Sequence, residues 1–243
     1  MLERRLAEAQ RSETWGAPVI EGRLGGQDVV LALTGMSLVN AAMTTQRVID
    51  RYAPTRIVVC GIAGGADPTL AIGEVAIPAR WAQPLEATFA RELTDGGYGP
   101  DILADDWGMA NFGALYPHAV EVRTVRGLER KLWFEADPEL VAAARALSQA
   151  GLRVGGAGVS SSLFVDNAAY AGYLHETFEA VAVDMETAAI AQVAYANGVP
   201  FIGVRGITDR AGAEAGANTA LLHLDIVAER TAEVVEALLA ALD

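Results

Sequence analysis

Short β-branched runs alternate with segments of helical spacing along most of this 243-residue chain. That rhythm leaves few architectures open, because strands separated by helices pair into one sheet whose faces the helices cover. Residues 28–34 read as a strand. Leu38, Ala41, Ala42, Thr45, Val48, Ile49 and Tyr52 then follow at helical spacing until Pro54 stops the helix. Residues 56–60 are an apolar run of the kind buried in a parallel sheet, and they lead directly into Gly61-Ile62-Ala63-Gly64-Gly65. Residues 74–78, 180–184 and 200–207 read as further strands. So does 154–165, where Gly155, Gly156 and Gly158 suggest a bulge or a close backbone approach. Asp137-Pro138 opens a helix that Gly151 closes, Asp166 caps a helix over 168–178, and a helix over 185–197 ends at Gly198. The chain finishes in an amphipathic helix carrying Leu224, Val227, Thr231, Val234, Val235, Leu238, Leu239 and Leu242. The expectation is an α/β fold with three layers, αβα, around a mixed, mostly parallel central sheet. Residues 81–117 break the rhythm with Gly, Asp and aromatics in no clear period. A loop of that length inside a compact domain is usually functional or partly structured. One domain over 1–243 with one large insertion is therefore expected.

Composition narrows function by exclusion. The formal net charge is −13, without a Lys/Arg run, so the chain lacks the electrostatic footprint of a nucleic-acid or anionic-membrane binder. No uninterrupted apolar run reaches the ~18 residues of a membrane span. The opening Met1-Leu2-Glu3-Arg4-Arg5-Leu6 is too charged for a signal-peptide core. A single cysteine, Cys60, excludes an internal disulfide and a Cys-based zinc site. His118, His175 and His223 show no metal-ligand spacing and read as surface or core residues, and no G-x-S-x-G elbow exists. Neither a metal nor a cofactor is expected. An enzyme or a small-molecule binder remains.

In open α/β sheets ligands bind outside the carboxyl ends of the strands, which selects four places. Gly61-Ile62-Ala63-Gly64-Gly65 follows a strand without the Lys-Ser/Thr of a phosphate loop; it reads either as a backbone cradle for a ligand or as a tight turn. Asp184-Met185-Glu186 stands at a strand–helix junction, where Glu186 also suits the helix macrodipole. Thr208-Asp209 ends another strand, with Asp209 either a working carboxylate or the start of an Asx-turn. Arg205, inside that apolar strand, needs a carboxylate partner, and Asp184 or Glu186 is the expected one. Phe164-Val165 forms the fourth place, its aromatic ring either stacked on a planar ligand or part of the core. Trp81, Trp107 and Trp133 either wall a pocket or pack the insertion.

Together these places carry a resemblance that none carries alone. Asp184-Met185-Glu186 followed by Val204-Arg205-Gly206-Ile207-Thr208-Asp209 resembles the paired signature of the purine nucleoside and uridine phosphorylase superfamily. Within it, the chain is similar to the 5′-methylthioadenosine/S-adenosylhomocysteine nucleosidases: residues 61–65 and 67–78 match that branch's glycine loop and next strand, and 33–42 and 159–165 also fit. The likeness runs in consistent order over about residues 20–242. The insertion, 81–134, looks more like a bacterial subgroup related to bark storage proteins. The resemblance implies the nucleoside phosphorylase-like fold and hydrolysis of a purine nucleoside to free base and pentose, without cofactor, in a homodimer. It implies that Glu186 holds the ribose hydroxyls with Met185 packed on the sugar, and that Asp209 protonates N7 of the leaving purine with Thr208 beside it. Phe164 would stack on the base, Val165 would read its edge, and Ile62, Ala63 and Gly64 would line ribose and base. These residue types suit the chemistry, since glycosidic cleavage builds an oxocarbenium-like sugar and a negative purine.

Phosphorylases of the superfamily place an arginine where this chain has Val59, and its N-terminal glycine–arginine phosphate loop has no match here. An anionic nucleophile without a cationic clamp is disfavoured in an acidic protein, so hydrolysis is preferred over phosphorolysis. A third reading is a non-catalytic nucleoside-binding or storage-type relative. The branch's nucleosidases begin with a strand and a glutamate that helps to activate water, whereas this chain opens in a helical pattern of Leu2, Leu6 and Ala9. Glu3 is a substitute for that acid or one residue of a solvated face. The first strand is therefore expected to be missing, with Met1 an internal methionine. The expected compartment is cytoplasmic if Met1 is the true start, and exported if an upstream signal was lost.

Overall fold

The computed structural model describes residues 1–99, 109–213 and 216–242. A short 3-10 turn, Leu2–Arg5, leads into β1 (Ala7–Thr14), β2 (Ala17–Leu24) and β3 (Gln27–Ala32), an antiparallel meander that forms its own three-stranded sheet. The helical reading of the opening residues is thereby corrected. Three apolar residues at helical spacing cannot offset the cost of nucleating a helix, and from Ala7 onward the backbone pairs with β2 instead. Leu2 and Leu6 still face inward, against the cluster that contains Leu24 and Leu238.

Next come α1 (Leu38–Tyr52) and β4 (Ile57–Gly65). Ala53 closes α1 in the left-handed conformation (φ 43°), one residue before Pro54. β5 (Val75–Ile77) and β6 (Arg80–Ala82) follow, then β7 (Ala87–Phe89), β8 (Leu115–Pro117), β9 (Val120–Thr124), β10 (Gly127–Lys131) and β11 (Phe134–Glu135). The remaining chain is α2 (Pro138–Ala146), β12 (Leu152–Val154), β13 (Ala157–Ser160), α3 (Ala168–Phe178), β14 (Ala180–Asp184), α4 (Thr187–Asn197), β15 (Phe201–Asp209) and α5 (Ala220–Ala240).

The central sheet has eight strands in the order β11-β6-β13-β14-β4-β15-β5-β12. It is mixed: β6–β13, β13–β14, β4–β15 and β5–β12 are parallel, while β11–β6, β14–β4 and β15–β5 are antiparallel. Side chains alternate across it, as the strand period of two requires. On one face α1 and α4 close over Val59, Trp81 and Phe201. On the other, α2 and α5 cover Val75, Ile77, Ile202 and Val204. The three layers expected from the alternation are therefore present. α3 packs against Val159 and Val183, beside the end of the sheet that carries the chemistry-bearing residues. The opening turn is tied to α5 by Arg5, whose guanidinium reaches Glu229, Glu233 and Glu236. No helix among the described residues is long and apolar enough to cross a membrane.

Several boundaries move. The 154–165 segment is two strands, separated where Gly155 (φ 121°) and Gly156 (φ 69°) turn the chain, and it leaves the sheet after Ser160. Asn167, not Asp166, caps α3, its side chain accepting the Tyr170 N–H at 2.9 Å. α2 stops at Ala146, and α4 starts at Thr187 with Glu186 as its N-cap. The insertion contains two small antiparallel pairs, β7–β8 and β9–β10, while Trp81 and Phe134 at its ends pair in the central sheet. Trp81 is core: it is fully buried, and a Cβ added at Gly158 or Gly203 would lie 2.5 or 3.1 Å from its ring. Trp133 lies under the Arg80 guanidinium, 4.1 Å from the ring centroid, and packs on Phe178. Trp107 falls outside the described residues.

Candidate active site

β4 runs unbroken through the glycine segment, so residues 61–65 are a strand and not a loop after one. The glycines serve close packing. Gly61 pairs with Arg205 across the β4–β15 ladder, and a Cβ there would lie 1.9 Å from Arg205 Nη1. The guanidinium thus crosses the strand where only glycine leaves room for it.

Arg205 is 5% exposed, and its partners compensate for the desolvation. Nε stands 2.7 Å from Asp184 Oδ2 and 2.7 Å from Thr187 Oγ1. Nη1 points to the Ile62 carbonyl at 3.4 Å, and Nη2 is 3.8 Å from Glu186 Oε2. Both expected carboxylates therefore meet Arg205, with Asp184 the close one. Asp184 also receives the Ser160 and Thr187 hydroxyls and the backbone N–H groups of Glu186 and Thr187. This network fixes the first turn of α4, and with it Glu186.

Glu186 is half-buried, and its carboxylate accepts the Ser37 N–H at 2.8 Å. Burial raises its carboxyl above the ordinary glutamate range and the charge of Asp184 adds to this, while the Ser37 N–H and Arg205 oppose it. Ser37 adopts φ 80°, an uncommon conformation for a residue with a side chain, just before α1. Its hydroxyl also meets Ser162 Oγ at 3.1 Å. Nothing in the sequence of this segment singles out Ser37, because a backbone donor leaves no side-chain signal. Met185 lies partly buried between β14 and α4.

Asp209, 2% exposed, stands at the end of β15, where a register irregularity sets it opposite Gly64. Its Oδ2 accepts the Ala211 N–H at 3.2 Å and Asn218 Nδ2 at 3.1 Å, and its Oδ1 faces the Thr208 hydroxyl at 3.1 Å. Asp209 therefore starts an Asx-turn, with its carboxylate at the strand end. Thr208 Oγ1 also lies 3.4 Å from the Ala63 carbonyl. A Cβ on Gly64 would touch Asp209 Oδ2 at 3.4 Å, so the acid rests against bare backbone.

The segment after β13 completes the cluster. Phe164 is 62% exposed, against the core reading, while Val165 is buried. Asn167 N–H donates to the Ala211 carbonyl at 3.1 Å, which docks this segment beside Asp209. A cavity of about 330 Å³ opens here, lined by Phe112, Leu115, Leu163, Phe164, Val165 and Tyr170 among others. The Tyr170 hydroxyl has no hydrogen-bond partner among the described residues, and burial pushes its ionisation up to about 12.

Glu186, just after β14, and Asp209, at the end of β15, thus stand on either side of β4, which carries Ile62, Ala63 and Gly64, since β14 and β15 are its neighbours in the sheet. Val59 is buried in the apolar cluster with Ala41 and Ala188. Glu3 lies apart from the contacts just described; its exposed carboxylate is 3.3 Å from Arg11. Such a pair of carboxylates, one reachable and one enclosed, can grip a polyol and transfer a proton.

Residues 3–240 match the family described as the phosphorylase superfamily. A 5′-methylthioadenosine/S-adenosylhomocysteine nucleosidase of Marinomonas sp. (strain MWYL1) is 30% identical over 203 residues, covering 82% of this chain and 75% of that protein. One from Geobacillus kaustophilus (strain HTA426) is 29% identical over 249 residues, 100% of this chain and 92% of its own. Among solved structures, the S. pneumoniae nucleosidase of the same name, with the transition-state inhibitor MT-ImmA, superposes with a TM-score of 0.80 at 25% identity, covering 100% of this chain and 94% of that one.

Proposed function

This chain belongs to the phosphorylase superfamily, and from that membership together with the site we infer that it hydrolyses the N-glycosidic bond of a purine nucleoside of the 5′-methylthioadenosine/S-adenosylhomocysteine type, releasing free base and pentose. The observation that carries the reading is the pair Glu186 and Asp209 on either side of β4. As the bond to the base lengthens, its electron pair moves onto the purine and positive charge grows on the sugar. Glu186, ionised, accepts hydrogen bonds from the ribose 2′- and 3′-hydroxyls, which strengthen as the sugar becomes cationic. Asp209 supplies the proton that N7 needs as the base departs. The exposed Phe164 ring stacks on the base, Val165 backbone groups read its edge, Met185 packs on the sugar, and Ile62, Ala63 and Gly64 line the space between.

Water rather than phosphate is the nucleophile in this reading. Val59 offers an apolar side chain, and Arg205 is already committed to Asp184 and Thr187. A homodimer also fits, because Met36, Val39, Phe164 and Leu221 are exposed on segments that touch the site. The direct experiment follows free base released from a panel of 5′-substituted adenine nucleosides. Adenine should appear with 5′-methylthioadenosine or S-adenosylhomocysteine; no base from any purine nucleoside would overturn the reading.

A further inference from the structure

Asn218 has no part in the mechanism just given, yet its side-chain amide touches the acid. Its Nδ2 donates to Asp209 Oδ2 at 3.1 Å and to Asp166 Oδ1 at 3.0 Å. Its Oδ1 accepts the Ala220 N–H at 2.9 Å, at the start of α5. A primary amide has two donor hydrogens, so both are used on carboxylates. Three segments meet on this one side chain: the end of β15, the loop that follows Phe164 and Val165, and the first turn of α5. The acceptor capacity of Asp209 then becomes uneven. Oδ2 takes the Ala211 N–H as well as the amide, which fills its two lone-pair sites. Among the described residues, Oδ1 faces only the Thr208 hydroxyl, whose single hydrogen also has the Ala63 carbonyl within reach. A proton carried by this carboxyl therefore belongs on Oδ1.

We propose that Asn218 is a positioning residue that clamps Oδ2 of Asp209 to Asp166, so that Oδ1 hands the proton to the leaving base. The proposal rests on the nucleosidase reading above. In the step the C–N bond breaks with its electron pair going to the purine, the Oδ1–H bond breaks, and an N–H bond forms at N7. Asp209 is left as a carboxylate. The clamp touches no substrate atom; it holds the acid at a set distance from the Phe164–Val165 segment that carries the base.

Two variants separate the clamp from the turn that Asn218 makes with the Ala220 N–H. Asn218→Asp keeps the acceptor for the Ala220 N–H but has no hydrogens to donate, whereas Asn218→Ala loses both. Each is assayed on 5′-methylthioadenosine and on p-nitrophenyl β-D-ribofuranoside, whose leaving group departs without a proton, with melting temperatures recorded alongside. The clamp predicts that both variants lose about 10-fold or more in kcat on the purine nucleoside with KM within about threefold, since no substrate contact is removed. Any turnover of the aryl riboside should stay within about twofold of the unaltered protein. Retention of kcat by Asn218→Asp would reduce Asn218 to a turn residue and overturn the proposal, as would equal losses on the two substrates. If the unaltered protein releases base from no purine nucleoside, the nucleosidase reading fails first and takes the clamp with it. An active protein with an indifferent Asn218 loses the clamp alone.

Discussion

Asp209 and Glu186 are chemically similar side chains set in different surroundings. Asp209 is enclosed, with a donor on each oxygen, and Asp209→Asn preserves its shape while removing the carboxyl that the proposed mechanism uses as its acid. It should lower kcat by about 10²–10⁴-fold with little change in melting temperature; full activity in the folded variant would remove Asp209 from the mechanism. Glu186 opens to the site, and Glu186→Gln should impair ribosides far more than 2′-deoxyribosides, because the weakened contact needs the 2′-hydroxyl. Equal losses on both would make Glu186 a residue of the fold. Burial holds the Glu186 carboxyl above its ordinary range, ~4.3. In the proposed mechanism its ionised form is the acceptor for the sugar, so kcat/KM should fall as pH drops through that raised value. A pH–rate profile of Glu186→Gln should lack this acid limb. Asp209 and the Arg205–Asp184 pair were legible in the sequence, because a charge in an apolar strand or at a strand end demands an explanation. Glu186 stood out only through the family resemblance, since the helix macrodipole already accounts for a glutamate there. Ser37 and Asn218 were not. One acts through its backbone N–H, the other from a loop of small residues, and neither leaves a pattern in side-chain type.

The elements show where local signals mislead. Glycines announce a turn, yet β4 continues through Gly61, Gly64 and Gly65, which are glycine because Arg205, Ala211 and Ile207 crowd the places their side chains would take. The opening residues have helical spacing, yet the ladder with β2 decides their conformation. In both cases a partner distant in sequence overrides the local rule. The long helices and apolar strands were readable because period and burial agree there; α1 occupies the expected span, Leu38–Tyr52. A consequence at this scale is that Gly61→Ala should be costly although it adds a single methyl group. To clear the Cβ, the guanidinium must leave Asp184, and breaking a buried ion pair costs on the order of 3–5 kcal/mol. Chemical denaturation measures it, and a loss below about 1 kcal/mol would mean the strand shifts to make room.

Across the whole molecule, the three layers bring residues distant in sequence, 37, 62–64, 160–167, 184–187, 205–211 and 218, to one end of the sheet. Exposed Met36, Val39, Phe164 and Leu221 adjoin that cluster, and an apolar rim of this kind is characteristic of surfaces that become covered. Sedimentation should therefore give twice the mass of one chain, and Val39→Glu should shift it toward one copy; a monomer at all concentrations would contradict the homodimer. The central claim, that water and not phosphate attacks the sugar, is tested most directly by mass analysis of the sugar released from 5′-methylthioadenosine with and without inorganic phosphate. The account predicts free 5-methylthioribose in both, at equal rates. A pentose 1-phosphate, formed only when phosphate is present, would contradict it.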